Sequence, residues 1–409
     1  MKVPVSGKVI TAEDKLKMME AVTDGWFTDG GRFCKEFSDK LKKYIGVHHC
    51  SLVNSGSSAN LLALTAIKDF YTITEKNNKV VTCATGFPTT IAPIIQNNLI
   101  PYFIDVNPKT LNPDTNTMLD ALSRKDVIGI IQAHTLGFPY DAKAVREFCD
   151  ANGKFFIEDC SDALGAEIYG KKVGSFGHAS TYSFYPAHHI TTGEGGAVLT
   201  DDGRLHYQIE VYRDWGRSCW CAPGHDNTCG KRFEHKWKNL PDGYDHKYTY
   251  IKFGYNMKMT EMQAALGSSQ MDRIESFIER RLANYWYLME NLPKPMERIS
   301  YGYDGWFFAY IKYSPFGFPI TIVSDRFTRK ELTDFLEENG IVTRPVFAGN
   351  ITRQPVFDNL DYDKYDLLSG SDYVMERTFW IGCWHGLNQG HLDYIIDKFD
   401  EFFKVKGLK

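Results

Sequence analysis

The sequence predicts an α/β protein: a large domain on a mixed, mostly parallel sheet, followed by a smaller C-terminal α/β domain. Three patterns carry this prediction. Short apolar runs alternate with helical stretches through the first half of the chain. Helical periodicity frames that alternation on both sides. The tail then mixes strand-like and helical runs again.

From residue 12 to about 70, charged and apolar residues alternate at helical spacing, as in Glu13, Lys15, Met18, Met19 and Val22. Val80–Thr82, Tyr102–Ile104, Val127–Ile131 and Phe155–Ile157 read as buried strands, with helical stretches such as Asp141–Ala151 between them. Residues 215–250 are rich in Trp, Cys, Gly, Pro, His and Asp and have no clear period. They read as a long ordered loop, and loops of that length are usually functional. Helical patterning resumes near Thr260 and runs to about Leu292. Beyond it, strand-like Trp306–Ile311 and Ile320–Val323 precede helical Arg329–Asn339 and His391–Phe403. The expected division is residues 1–294 for the large domain and 295–409 for the small one.

A chain of 409 residues is long enough to bury a large core. Its net charge of −4 gives no support to a nucleic-acid or polyanion partner. No apolar run of about 18 residues exists, so no membrane span is expected. The opening MKVPVSGKVITAEDKLKMME has no signal-peptide core, and a cytoplasmic protein is expected. A cytosolic protein keeps thiols reduced, so the nine cysteines predict no disulfide framework. Cys34, Cys50, Cys83, Cys149 and Cys383 stand alone and read as buried small hydrophobes.

Four segments carry chemistry. Asn54-Ser55-Gly56-Ser57-Ser58-Ala59-Asn60 is a small-residue turn opening a helix. Its backbone N–H groups and helix dipole suit a phosphate; a plain N-capped helix is the alternative. Ile157-Glu158-Asp159-Cys160-Ser161-Asp162-Ala163 ends a strand, where ligands sit in open α/β sheets. An acid there can pair with a pyridinium nitrogen and make the ring an electron sink. The alternative is a helix N-cap at Asp159 or Asp162. The third segment runs from Ser183 through His188, His189 and Ile190 to Gly193-Glu194-Gly195-Gly196, and the fourth from Phe253-Gly254-Tyr255-Asn256 to Ala265.

In this order and spacing the four segments resemble the DegT/StrS-type sugar aminotransferases of pyridoxal-phosphate fold type I. The resemblance covers nearly the whole chain, including Trp26–Gly30 and His134–Gly137. It implies an aspartate aminotransferase-like fold. It implies that Gly56, Ser57 and Ser58 hold the cofactor phosphate, with Ser183 adding a hydroxyl. Phe87 would stack on the ring, Asp159 would pair with its nitrogen, and Asp162 is counted with the cofactor-binding residues. Asn256 would reach the phosphate of a neighbouring subunit's cofactor, which implies a homodimer with shared sites.

One position departs from the family. Five residues after Ser183 the aminotransferases carry the lysine that forms the Schiff base; here it is His188. Imidazole has no primary amine, but it can act as a general base near neutral pH. The replacement resembles that in the GDP-4-keto-6-deoxymannose and CDP-4-keto-6-deoxyglucose 3-dehydratases. It implies a cofactor bound non-covalently as pyridoxamine phosphate, and His188-assisted loss of the C3 hydroxyl from a nucleotide-linked 4-keto-6-deoxyhexose. An unusual aminotransferase and a lysine-less scaffold that binds cofactor or nucleotide sugar without turnover are the alternatives. His189 inherits no role, because its neighbour fills the lysine position. Arg344 is a candidate for a diphosphate or for a surface salt bridge.

Phe184–Ile190 and the 215–250 loop look like the CDP-sugar enzyme, an iron–sulfur protein that works with an NADH-dependent iron–sulfur flavin reductase. Cys219, Cys221 and Cys229 lie in that loop. Thiolates are the ligands a 2Fe–2S cluster requires. The spacing also suits zinc, or a set of reduced thiols. The resemblance implies one further cluster cysteine near Asp159. That position is Ser161 here, with Cys160 just before it as the candidate fourth ligand.

Overall fold

The computed structural model describes residues 1–219, 221, 223–293, 299–301 and 310–408. Residues 306–309 of the expected Trp306–Ile311 run, and Trp220 in the cysteine loop, lie outside the described residues.

The strands in chain order are β1 (His49–Val53), β2 (Lys79–Cys83), β3 (Ile100–Ile104), β4 (Val127–Ala133) and β5 (Phe155–Asp159). Then come β6 (Glu167–Ile168), β7 (Lys171–Lys172), β8 (Ala179–Ser183), β9 (Gly196–Thr200) and β10 (Ile299–Tyr301). The last are β11 (Ile311–Lys312), β12 (Phe318–Ile322), β13 (Thr343–Pro345), β14 (Asp363–Lys364) and β15 (Thr378–Ile381). The main sheet has eight strands in the order β1-β9-β8-β5-β4-β2-β3-β14. From β8 to β14 every pairing is parallel; β9 runs antiparallel to β8 and to β1.

Side-chain alternation explains the continuous apolar runs of the central strands. Val80, Phe155, Ile157 and Val198 point to the face covered by Ala59, Leu62, Ala63 and Ala66 of the helix Gly56–Ile67. Val81, Phe156, Ala197 and Leu199 point to the opposite face, toward Phe33, Phe37 and Leu41 of the helix Arg32–Ile45. Both faces are buried, so apolar side chains dominate, and polar ones such as Gln132 and Glu158 are hydrogen-bonded.

The C-terminal region builds a four-stranded antiparallel sheet, β10-β12-β15-β13. Its core includes Phe318, Ile320, Phe379 and Ile381, with Phe399 and Phe402 from the helix Gln389–Val405. Val3 and Val5 pack into that same cluster, and β14 returns to extend the main sheet beside β3. A small sheet, β11-β6-β7, completes the set. Among the described residues no helix is long and apolar enough to cross a membrane.

Candidate active site

The carboxyl ends of β4, β5 and β8 face the start of the helix Gly56–Ile67. Between them lies a cavity of about 490 Å³, whose wall includes Gly56, Ser57, Phe87, Asp159, Ser183 and His188. This is the strand edge where an open parallel sheet places its ligands.

The wall beside the start of the helix Gly56–Ile67 depends on close packing. Ser55 caps the helix and accepts a hydrogen bond from the Ser58 N–H at 3.0 Å. A Cβ at Gly56 would lie 2.4 Å from the Ser183 Cβ, so only glycine lets the helix start against the end of β8. Gly56 and Ser57 therefore present the positive helix end to the cavity. Ser58 does not share this role: its N–H and its hydroxyl both face the Ser55 hydroxyl. The Ser57 hydroxyl donates to Thr89 at 3.1 Å. Phe87 stands half-exposed at the cavity, edge-on to Phe347.

Asp159 ends β5 and is 5% exposed. Its Oδ2 accepts from Asn60 Nδ2 at 2.9 Å and Thr90 Oγ1 at 2.7 Å. Its Oδ1 accepts from the Ser161 N–H at 3.1 Å and Ser161 Oγ at 2.7 Å. Asn60 is itself oriented by the Thr181 hydroxyl at 2.6 Å. Asn60, Thr90 and Ser161 are site residues that sequence reasoning did not assign. Asn60 and Ser161 lie within the quoted segments and Thr90 three residues beyond Phe87, but nothing local marked them as donors to Asp159. No described helix begins at Asp159 or Asp162, so neither is an N-cap.

His188 sits in the turn after β8, its N–H donating to the Tyr185 carbonyl at 2.9 Å. The ring Nδ1 is 3.4 Å from Asp162 Oδ1, within ion-pair reach but off hydrogen-bond alignment. Burial pushes the Asp162 carboxyl up, and the neighbouring His188 partly offsets this. The Phe316 ring tilts over the imidazole at 5.2 Å between centroids. Behind the turn lies Arg281, fully buried. It donates to the carbonyls of His188, Pro315 and Phe316, each at 3.2 Å. Burial pushes its guanidinium down to about 10. His189 is different: it is fully buried, with Nε2 3.0 Å from the Ser314 carbonyl, and burial keeps it neutral.

Asn256 is exposed and bridges the backbone of Asp214, away from the cavity wall. Arg344 does line the cavity; its Nη1 donates to the Thr343 carbonyl at 2.8 Å.

The cysteine loop forms a second constellation. The ligand atoms of Cys219, Cys221 and His246 all lie within 4.8 Å of one another. Cys229 Sγ is 3.5 Å from His246 Nε2. Burial raises the Cys221 thiol, but hydrogen bonds from Thr228, Cys229 and Cys219 outweigh it and bring it down to about 7. Burial pushes Cys219 up to about 11. The expectation for Cys160 is corrected. Its sulfur is buried with His134 and Glu158 and next to Tyr182, in a group separate from the loop. Alternation after β5 explains why: Ser161 lines the cavity while Cys160 turns into the core.

Comparison with known proteins places this architecture. The chain is 49% identical to the lipopolysaccharide biosynthesis protein RfbH of Salmonella typhimurium, over 98% of this chain and 92% of that one. It is 42% identical to the dTDP-4-dehydro-2,6-dideoxy-D-glucose 3-dehydratase of Saccharopolyspora spinosa, over 97% of this chain and 86% of that one. A crystal structure of GDP-4-keto-6-deoxymannose-3-dehydratase superposes with a TM-score of 0.86, covering 97% of this chain and 100% of that one. At 23% identity, that likeness establishes the fold. The model of the DegT/DnrJ/EryC1/StrS aminotransferase family matches residues 8–400, and the chain belongs to that family.

Proposed function

We propose that this protein is a pyridoxamine-phosphate-dependent dehydratase that removes the C3 hydroxyl of a nucleotide-linked 4-keto-6-deoxyhexose, on a route to 3,6-dideoxysugars of surface polysaccharide. One observation carries the reading: the turn after β8 offers the cavity an imidazole, His188, where the family's chemistry needs a lysine amine. The names of the Salmonella and Saccharopolyspora relatives support the same direction.

The residues fit such a cofactor. Gly56, Ser57 and the Ser183 hydroxyl suit its phosphate, Phe87 its ring face and Asp159 its ring nitrogen. When bound, the cofactor supplies a primary amine and an electron-withdrawing ring. Asp159, held by four donors, keeps one orientation toward a ring N–H. His188 has Asp162 opposite Nδ1, which leaves Nε2 to take a proton. The nearby carboxyl stabilises the imidazolium that results. The same proton can then go to the departing C3 hydroxyl, which leaves as water. Arg344 offers a cation to the nucleotide diphosphate.

The reading includes a homodimer in which Asn256 reaches the neighbouring site, and an NADH-dependent iron–sulfur flavin reductase as electron source. The thiolates of Cys219, Cys221 and Cys229 are the donor class that iron–sulfur clusters use. The four-thiolate set with Cys160 does not assemble, and no step is derived through it. That position of Cys160 favours a second reading, a dehydratase without a cluster whose product is resolved by hydrolysis. Iron and labile-sulfide content separates the two.

The test is incubation of anaerobically purified protein with pyridoxamine phosphate and CDP-, dTDP- and GDP-4-keto-6-deoxyhexoses, with and without NADH and an iron–sulfur flavin reductase. NMR should show loss of oxygen at C3 and its retention with His188→Asn. Equal C3 loss with the wild type and His188→Asn, or transamination by the wild type without C3 loss, overturns the proposal.

A further inference from the structure

The 215–250 loop is held by its own two ends. The Ser218 N–H donates to the Thr249 carbonyl at 2.9 Å, and Arg217 bridges to Tyr250. The His246 N–H donates to the Arg232 carbonyl at 3.1 Å. Arg232 pairs with Asp245 at 2.7 Å, and Lys247 pairs with Asp226. These links bring Cys219, Cys221, Cys229 and His246 together although they are far apart in sequence. His246 is 1% exposed within a loop whose other residues are mostly exposed. The ring of His235 stacks over it at 5.3 Å.

Three sulfurs and one imidazole nitrogen converge here. Two ligands on one tetrahedral metal, with metal–sulfur and metal–nitrogen bonds of ordinary length, stand about 3.5 Å apart. Cys229 Sγ and His246 Nε2 are separated by 3.5 Å. The ligand atoms of Cys219, Cys221 and His246 lie within 4.8 Å of one another, so small side-chain shifts would gather them on one ion. Cys229 joins these three through its sulfur's 3.5 Å approach to His246 Nε2.

We propose that Cys219, Cys221, Cys229 and His246 form a Cys₃His metal centre, with His246 the fourth ligand in place of a cysteine. The donor set suits a thiolate-binding metal in tetrahedral coordination, either a single zinc ion or an iron–sulfur cluster with one imidazole ligand. The inference does not depend on the reaction at His188, because it is read from metal binding.

The experiment uses the full chain, purified anaerobically, and the variants His246→Ala, His246→Cys and Cys160→Ser. Each is loaded with ferrous iron and sulfide, or with Zn²⁺ and Co²⁺, and assayed for metal and sulfide content. Reduced iron–sulfur protein is examined for ¹⁴N coupling by pulsed EPR; cobalt protein is examined for thiolate charge-transfer and tetrahedral ligand-field bands. Iron with sulfide identifies a cluster; one Co²⁺ or Zn²⁺ without sulfide identifies a single-ion site. Either result, with the wild type showing one nitrogen ligand, supports the proposal. His246→Ala should lose at least tenfold in metal affinity, His246→Cys should bind metal without the nitrogen signature, and Cys160→Ser should match the wild type. Pyridoxamine-phosphate binding reports whether each variant is folded, and if His246→Ala fails to fold, His246→Cys decides between the outcomes. A nitrogen signature that survives in His246→Cys, a Cys160→Ser protein that loses its metal, or a folded wild type that binds neither metal overturns it.

Discussion

His188 Nδ1 stands 3.4 Å from Oδ1 of Asp162, a carboxyl that is almost completely buried and has its other oxygen unpartnered. The pair has the form of a base and its orienting acid. A buried carboxyl with one oxygen unpartnered is a cost to the fold, and such costs gather at functional sites.

Asp162→Asn should separate that cost from its benefit. An orienting carboxylate contributes to general-base catalysis on the order of 100-fold, so kcat should fall by about that factor with little change in KM. Stability should move the other way. Burial raises the folded-state pKa of Asp162 above its unfolded value. The folded chain therefore binds more protons as pH passes from the unfolded value up to the folded one, and stability from this group falls across that window. Asp162→Asn removes the penalty, so its melting temperature at neutral pH should equal or exceed that of the wild type. Calorimetry at a series of pH values from about 4 upward checks the sign, with the gap widening as pH rises from the unfolded value.

Arg281 acts on the same histidine from behind. Its guanidinium bridges the carbonyls of His188, Pro315 and Phe316, which fixes the turn against the ring of Phe316. Lysine keeps the charge but cannot span three carbonyls with one ammonium. Arg281→Lys should cost about 2–4 kcal/mol of stability by leaving buried acceptors unmet. It should also lower kcat more than it raises KM, because the cavity wall survives while the imidazole loses its fixed position. Urea denaturation and steady-state kinetics measure the two effects separately.

How far the sequence could be read depends on where each polar group finds its partner. β2 to β5 were legible because both faces are buried and the runs are apolar. β1 (HCSLV) and β8 (ASTYS) were not, because their polar side chains are satisfied at a distance. Ser51 donates to Glu210, and Thr181 donates to Asn60. The helical patterning from Thr260 to Leu292 resolves into two helices, Glu261–Met271 and Ile274–Asn291. Arg273 at the break reaches back to Asp14, a partner no local pattern reveals. The same limit hid His246. Its link to the thiols is made by hydrogen bonds across the loop, whereas Cys160, one residue before the position the resemblance implies, faces the core.

The donors around Asp159 predict a graded series. Thr90→Val removes one of the two donors on Oδ2 and should weaken pyridoxamine-phosphate binding by roughly tenfold, about 1.4 kcal/mol, in the range of a hydrogen bond to a charged acceptor. Asn60→Ala removes the other and frees the Thr181 hydroxyl as well, so its effect should be larger. Asp159→Asn should keep the cavity but lose at least 100-fold in kcat, since an amide cannot hold a proton on the ring nitrogen. Spectral titration with the cofactor ranks the first two. Equal binding in the wild type and Thr90→Val would refute the network's role.

Gly56 offers a prediction in which two effects oppose. Alanine is the better helix former by about 1 kcal/mol, so on propensity alone Gly56→Ala should stabilise the helix Gly56–Ile67. The added Cβ would meet Ser183 Cβ at 2.4 Å and Ser183 Cα at 3.1 Å, and the second of these is backbone that cannot rotate away. Overpacking of this kind costs about 1–3 kcal/mol, so the clash should win. It should part the helix start from the end of β8 and lower phosphate affinity at least tenfold. Gly56→Ala combined with Ser183→Gly removes the Cβ–Cβ clash, so stability should return most of the way. Affinity for the cofactor should not, because the Ser183 hydroxyl is gone and the crowding against the backbone of residue 183 remains. A double variant restored in both melting temperature and cofactor binding would mean that the Gly56–Ser183 approach serves packing alone.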